Sequence, residues 1–160
     1  EVKWNERPNT EGNFIIKPYK DVKVGIIKTR PNMYAEEFSF YKNYDGLIIE
    51  GSGIGNAPVM SFDKESEEAD KIYNAIKRLK IPIALTSQTV FGRINMDVYS
   101  VSRKLKEIGI MGNLLDMTTE IAYVKMAWLL SNYPKQVREL YENNLRGEIT
   151  ERSEQQEYGL

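Results

Sequence analysis

Two stretches of this sequence gather the groups that could recognise a small polar molecule. The first is Gly-Ser-Gly-Ile-Gly-Asn-Ala-Pro at residues 51–58. Its glycines, Gly53 and Gly55 above all, let another molecule approach the backbone N–H groups closely. Asn56, at the far end, offers both a donor and an acceptor and so could read an amide or a carboxylate. The spacing is G-x-G-x-G, and Pro58 intervenes before any helical pattern, so the stretch departs from the G-x-G-x-x-G that opens a helix beneath a dinucleotide. Nucleotide binding is not expected. Without Asn56 the run would read as a plain turn between strand and helix.

The second stretch, residues 86–97, is dense in hydrogen-bonding side chains: Thr86, Ser87, Gln88, Arg93, Asn95 and Asp97. Arg93 has the planar fork that holds a carboxylate through two hydrogen bonds, although an interface ion pair would use the same fork. Asn95 and Asp97 are suited to cap the helix that follows.

What these stretches lack is a nucleophile with a base. The chain has no histidine and no cysteine, which removes His-based triads, thiol chemistry and Cys-ligated zinc. Serines and threonines are present, but none has a base beside it in the sequence pattern. Lys125 lies in an apolar run without a visible partner. Glu67-Glu68 and Lys77-Arg78 with Lys80 read as solvated helix faces, and Met126 and Trp128 as core. No metal site and no complete catalytic constellation is expected. With 22 basic and 23 acidic residues the net charge is −1, so no global field draws the chain to nucleic acid. No apolar run has the length of a membrane span.

The elements around these stretches alternate between strand and helix. Residues 22–29 (VKVGIIKT) read as a strand buried on both faces. Residues 46–51 and 81–87 read as a second and third strand, and 108–112 (IGIMG) as a short fourth. Between them lie a short helix at 36–44, with Tyr34, Phe38 and Tyr41 on one side, and a clear amphipathic helix carrying Ala69, Ile72, Tyr73, Ile76 and Leu79. A further helix carries Val98, Val101, Leu105 and Ile108 and is ended by Gly109. Asp116 or Thr118 caps an apolar helix running to Leu130, and Pro134 opens a last one with Val137, Leu140 and Tyr141. Strands alternating with helices at these intervals predict a three-layer α/β/α domain with a small, mostly parallel sheet of about four strands. Ligands of such sheets bind beyond the carboxyl ends of the strands, where residues 51–58 and 86–96 would lie. The expected organisation is a linker or interdomain segment at 1–21, the α/β domain at 22–147, and a polar, frayed tail at 148–160. A start at Glu1, within a polar stretch, suggests a piece of a longer chain.

The segments GLIIEGSGIGNAP, TSQTVFGRINMDVYSVSRKL, TTEIAYVKMAWLLSN and NNLRGEIT resemble, in order and spacing, the C-terminal domain of asparaginase-type amidohydrolases. TSQ followed by GR-N-M-VYS, and then by E-AYVKMAWLL, is most similar to the D-subunit branch of that family, found in archaeal glutamyl-tRNA(Gln) amidotransferases. Free type I asparaginases share the same domain. The resemblance implies that the nucleophilic threonine and its Thr-Asp-Lys helpers sit in a separate N-terminal amidase domain. It also implies a homodimer in which this domain lends polar groups to a neighbour's active site. Asn56 matches that role first, the segment from Arg93 through Asn95 and Asp97 second. It further implies a cytoplasmic enzyme releasing ammonia from glutamine or asparagine. The partner would be the amidotransferase's E subunit, holding ATP and Mg and acting on the tRNA, so this domain would need no cofactor and would meet tRNA only indirectly. Two other readings remain open: a flavodoxin-like or response-regulator-like module binding a small ligand, and an assembly domain whose loops merely pack.

Overall fold

A computed structural model describes residues 15–60 and 67–151. Three parallel strands, β1 (Val24–Lys28), β2 (Gly46–Gly51) and β3 (Ile83–Ser87), lie in the order β1-β2-β3. Ile26 pairs with Ile48, and Ile48 in turn with Ala84. Because neighbours in register share a face, the sheet sorts its side chains into two cores. Ile27, Leu47, Ile49 and Leu85 pack with Phe38, Ile72, Ile76 and Leu105. Those residues belong to α1 (Ala35–Ser39), α2 (Glu68–Arg78) and α3 (Ser100–Glu107). On the other face, Ile48 and Ala84 pack with Ala122, Met126, Leu129, Val137 and Tyr141, which come from α4 (Thr119–Asn132) and α5 (Val137–Tyr141). The three-layer α/β/α architecture is as expected.

Several local expectations give way. β1 is an edge strand with alternating burial, and Ile26 stays 44% exposed. The expected fourth strand reduces to a single parallel bridge, Ala84 to Met111. Met111 donates to Ile83 O and accepts from the Leu85 N–H. Gly112 then leaves the ladder at φ +110, where a Cβ would stand 2.4 Å from Leu85 O, so only glycine fits and pairing stops. The expected helix at 36–44 splits into α1 and a 3₁₀ turn, Phe40–Asn43. There Phe38 is fully buried while Tyr34 is exposed.

Neither Asn95 nor Asp97 caps α3. A turn at residues 96–98 delays that helix, Tyr99 becomes its N-cap residue, and Val98 is left exposed. Gly109 closes it in the left-handed region, as the pattern required. Thr118, not Asp116, caps α4, its hydroxyl accepting from the Ile121 N–H.

The ends of the described chain are also held. Residues 1–14 of the expected linker lie outside the described residues. Lys17 O accepts from the Trp128 indole N–H at 3.1 Å, and the Lys20 N–H donates to Ser131 Oγ at 3.0 Å. At the other end, Glu148, Ile149 and Thr150 pack into the domain instead of fraying. Residues 152–160 of the expected tail lie outside the described residues. Among the described residues no helix is long and apolar enough to cross a membrane.

Candidate functional site at the strand carboxyl edge

β1, β2 and β3 end together, and their parallel direction brings Thr29, the Gly51–Asn56 turn and residues 87–89 to one edge. Gln88 binds this edge from within. Its side-chain amide donates to Thr29 O at 2.6 Å, to Thr29 Oγ1 at 3.2 Å and to Glu50 O at 3.2 Å, while its backbone N–H donates to Gly51 O. Thr29, itself buried, donates its hydroxyl to Glu50 O and Asn56 O. Thr86 and Thr119 share a buried hydroxyl–hydroxyl bond of 2.9 Å across the sheet–helix boundary. Ser87 Oγ donates to Gly53 O at 2.5 Å and meets Thr89 Oγ1 at 2.6 Å. These hydroxyls are engaged in tying strand ends together.

The glycine stretch is a tight turn. Ser52 and Asn56 form an antiparallel bridge. Gly53, exposed at the tip, has φ +55. Gly55 is buried at φ +100, and a Cβ there would fall 2.9 Å from both Ile94 and Leu85. Its glycine is required by packing as well as by conformation. Asn56 is half-buried. Its Oδ1 accepts from Ser102 Oγ at 2.8 Å, and its Nδ2 donates weakly to Ser52 O at 3.5 Å. Ser102, fully buried in α3, also lies 2.9 Å from Gly55 O. Asn56 therefore stands at the strand edge with its side-chain oxygen engaged. It also fastens the turn to α3. Ser102 was not foreseen, because a serine inside a helix gives no sequence sign of a partner 46 residues away.

The second stretch is fixed from outside. Asn95 donates its N–H to Ile54 O, and its Oδ1 accepts from the Asp97 N–H. The Asp97 carboxylate accepts from Lys106 Nζ at 2.6 Å and Asn113 Nδ2 at 2.9 Å. These two bonds, Lys106 first, hold its carboxyl below the usual carboxylate range. Arg93 donates to Leu114 O at 2.5 Å and to Thr150 O at 2.8 Å and sits 4.0 Å from Asp116. The Arg93 fork thus donates to main-chain carbonyls and also faces the Asp116 carboxylate. Around this polar edge Val90, Phe91, Val98 and Tyr99 are exposed, an apolar rim that composition alone did not single out.

The nearest approach to a nucleophile and base among the described residues is Thr150 with Asp116. The Thr150 hydroxyl and N–H both donate to that carboxylate, and Arg93 beside it offsets the charge a base would need. Lys125 has found partners: Glu148 Oε1 at 2.6 Å and Asn143 O at 2.5 Å. Burial, the largest influence, pushes its ammonium below the ordinary lysine value, and Glu148 pulls it back up. The Glu148 carboxyl, though burial opposes its charge, is held low by Lys125 and by backbone N–H groups. Among the described residues no group of three or more His, Cys, Asp or Glu is placed to hold a metal ion.

Residues 23–141 match the family described as glutaminase/asparaginase C-terminal domain. The D subunit of glutamyl-tRNA(Gln) amidotransferase from Methanobrevibacter smithii is 38% identical over 150 residues, taking in 89% of this chain and 32% of that protein. The protein of the same name from Pyrococcus abyssi is 32% identical over 163 residues, covering 89% and 34%. Among solved structures, the thermostable L-asparaginase from Thermococcus kodakarensis is similar with a TM-score of 0.75 and 25% identity, over 91% of this chain and 43% of that one. L-asparaginase I from Vibrio cholerae, at 24% identity and a TM-score of 0.72 over 88% and 41%, shares the fold. The chain spans about a third of the length of the curated relatives it matches.

Proposed function

Since this chain belongs to the glutaminase/asparaginase C-terminal domain family, we propose that it is the carboxyl-terminal part of the amidase subunit of a tRNA-dependent amidotransferase. In this reading a separate amino-terminal domain carries the nucleophilic threonine. The strand edge described above completes a neighbouring subunit's site in a homodimer. Ammonia released from glutamine or asparagine passes to a partner, the E subunit, which activates Glu-tRNA(Gln) with ATP and Mg in the cytoplasm. Relatives named as the D subunit of such an enzyme, at 32–38% identity, support the choice of branch.

The observation that carries the reading is the strand edge itself. It has an ordered polar turn with Asn56 and an apolar rim, while the hydroxyls of Thr29, Thr86 and Ser87 are spent on structural bonds. Such an edge can complete a site but supplies no nucleophile of its own. The likeness to L-asparaginases favours a second reading, the same domain in a free L-asparaginase. In both readings Asn56 is the group offered to substrate, with Gly53 and Gly55 shaping its turn and Arg93, Asn95 and Asp97 shaping the loop beside it.

Asn56→Ala and Ser102→Ala provide the test, because each removes the bond between the two side chains. Both should lower the stability of the chain by about 1 kcal/mol. Only Asn56→Ala also removes a substrate contact, worth roughly 0.5–3 kcal/mol. It should therefore lower kcat/KM of the amidase containing this domain by about two-fold to 150-fold more than Ser102→Ala does. Equal effects of the two substitutions on kcat/KM would assign Asn56 to the turn alone. Release of ammonia from glutamine without tRNA partners, but with asparagine strongly preferred, would favour the free asparaginase.

A further inference from the structure

The motif Asn-Asn-Leu-Arg-Gly-Glu-Ile-Thr at residues 143–150 takes no part in the strand-edge chemistry, yet its Glu148, Asn144 and Thr150 side chains are all engaged. Lys125 is the centre. A lysine with its side chain 5% exposed, in the middle of a mostly apolar helix, is costly to bury unless its donors are met. They are met from this segment alone among the described residues: Asn143 O at 2.5 Å and Glu148 Oε1 at 2.6 Å. Glu148 then turns back on its own loop, accepting the N–H groups of Leu145 at 3.1 Å and Arg146 at 2.5 Å. Asn144 closes the loop from within, its Oδ1 accepting from the Gly147 N–H and its Nδ2 donating to Ile149 O.

The loop built in this way delivers Thr150 to a second cluster. Thr150 O accepts from Arg93, and the Thr150 N–H and hydroxyl donate to Asp116. Arg93 also grips Leu114 O, and the strands of backbone on either side exchange bonds: Ile94 N–H to Leu115 O, Leu114 N–H to Ile94 O. The Asn95 N–H finally reaches Ile54 O in the glycine turn. A run of hydrogen bonds linked by short stretches of chain therefore leads from an ammonium buried on α4 to the loops of the strand edge.

We propose that Lys125 and Glu148 are positioning residues for the strand edge, acting through residues 143–150 and Thr150 to hold the Arg93 loop in register with the glycine turn. This goes beyond the reading of the edge as part of an amidase site and does not depend on it, since it concerns bonds within this chain. Coupling of this kind needs a contiguous physical network and a direct measurement.

Residue-resolved amide hydrogen exchange on the whole chain tests it. Replacing the pair by apolar groups, Lys125→Met with Glu148→Leu, removes both charges together, which buried pairs often tolerate without loss of overall stability. The expected result is exchange at the Ile94, Asn95 and Leu114 amides faster by about tenfold or more, with the α2 amides of Ile72 and Ile76 unchanged. Lys125→Met with Glu148→Gln keeps an acceptor for the Leu145 and Arg146 N–H groups and should show a smaller acceleration.

Thr150→Val weakens the run downstream without touching the pair, because it removes the hydroxyl's bonds to Asp116 and Arg93 and leaves the main-chain ones. It should speed exchange at residues 94, 95 and 114 while residues 145–147 stay protected. The proposal is overturned if residues 94, 95 and 114 keep their protection in the chain carrying Lys125→Met with Glu148→Leu. It is equally overturned if the α2 amides accelerate in step with them, because the pair would then only stabilise the fold at large.

Discussion

Tyr141 carries the one buried side-chain polar atom among the described residues that has no hydrogen-bond partner. Its ring is fully buried beneath α4, and burial pushes its phenol above the ordinary tyrosine value. An unmet buried hydroxyl is a net cost, so Tyr141→Phe should leave the chain equally stable or more stable by up to about 1 kcal/mol. Denaturant unfolding measures this, and a clear loss of stability would mean that the hydroxyl has a partner. At the scale of single residues the sequence was a fair guide to which side chains matter and a poor guide to what they touch. Asn56, Arg93 and Asp97 all stand at the strand edge as their positions implied. Their partners lie 46, 57 and 9 residues away in Ser102, Thr150 and Lys106. Pairings across such distances are set by the packing of elements, which no local pattern encodes. Lys125 shows this most clearly, because its partner sat in a segment whose composition reads as a loose tail.

Periodicity served the elements in proportion to how amphipathic they are. α2, with charges opposite its apolar stripe, begins and ends within a residue or two of its pattern. α3 was misread at its start because Val98 falls in phase with Val101 and Leu105, yet belongs to a turn and faces solvent. α4 is the opposite case, apolar around most of its circumference. Such a helix needs cover on more than one side. The sheet covers Ala122, Met126 and Leu129, whereas Ile121 and Val124 remain 42% and 51% exposed beside Ile15 and Tyr19. The isolated chain is therefore expected to self-associate through this strip. Ile121→Asp with Val124→Asp should shift sedimentation toward monomer at concentrations where the unsubstituted chain is larger, with the helical circular dichroism retained. A chain that is monomeric throughout would show that the strip is no self-interface.

For the molecule as a whole, the absence of histidine and cysteine and the use of the Thr29, Thr86 and Ser87 hydroxyls in structural bonds predict that the purified chain hydrolyses neither glutamine nor asparagine. Ammonia release abolished by Thr150→Val, the residue whose hydroxyl faces Asp116, would refute this. Fold class was legible at this scale because the alternation of strand and helix follows from hydrophobic patterning, while the side of the sheet each helix covers emerges only in the two cores. The strand count was overestimated by one, since nothing in IGIMG announces that Gly112 lies against Leu85 O and breaks the ladder.

The lie of residues 17–20 across α4 has a consequence for how the chain comes to be folded. The sheet pairs each strand with its neighbour in sequence, so β1, β2 and β3 with their helices can assemble as they are synthesised, at small cost in loop closure. The bonds from Lys17, Pro18 and Lys20 to Trp128, Asn132 and Ser131 join positions 111–114 residues apart. A segment made before the strands is thus among the last to find its place. Until α4 emerges, the β2–β3 face that it will cover, Ile48 and Ala84 included, stays open to solvent. That interval is when a nascent chain is most exposed to mispairing and aggregation.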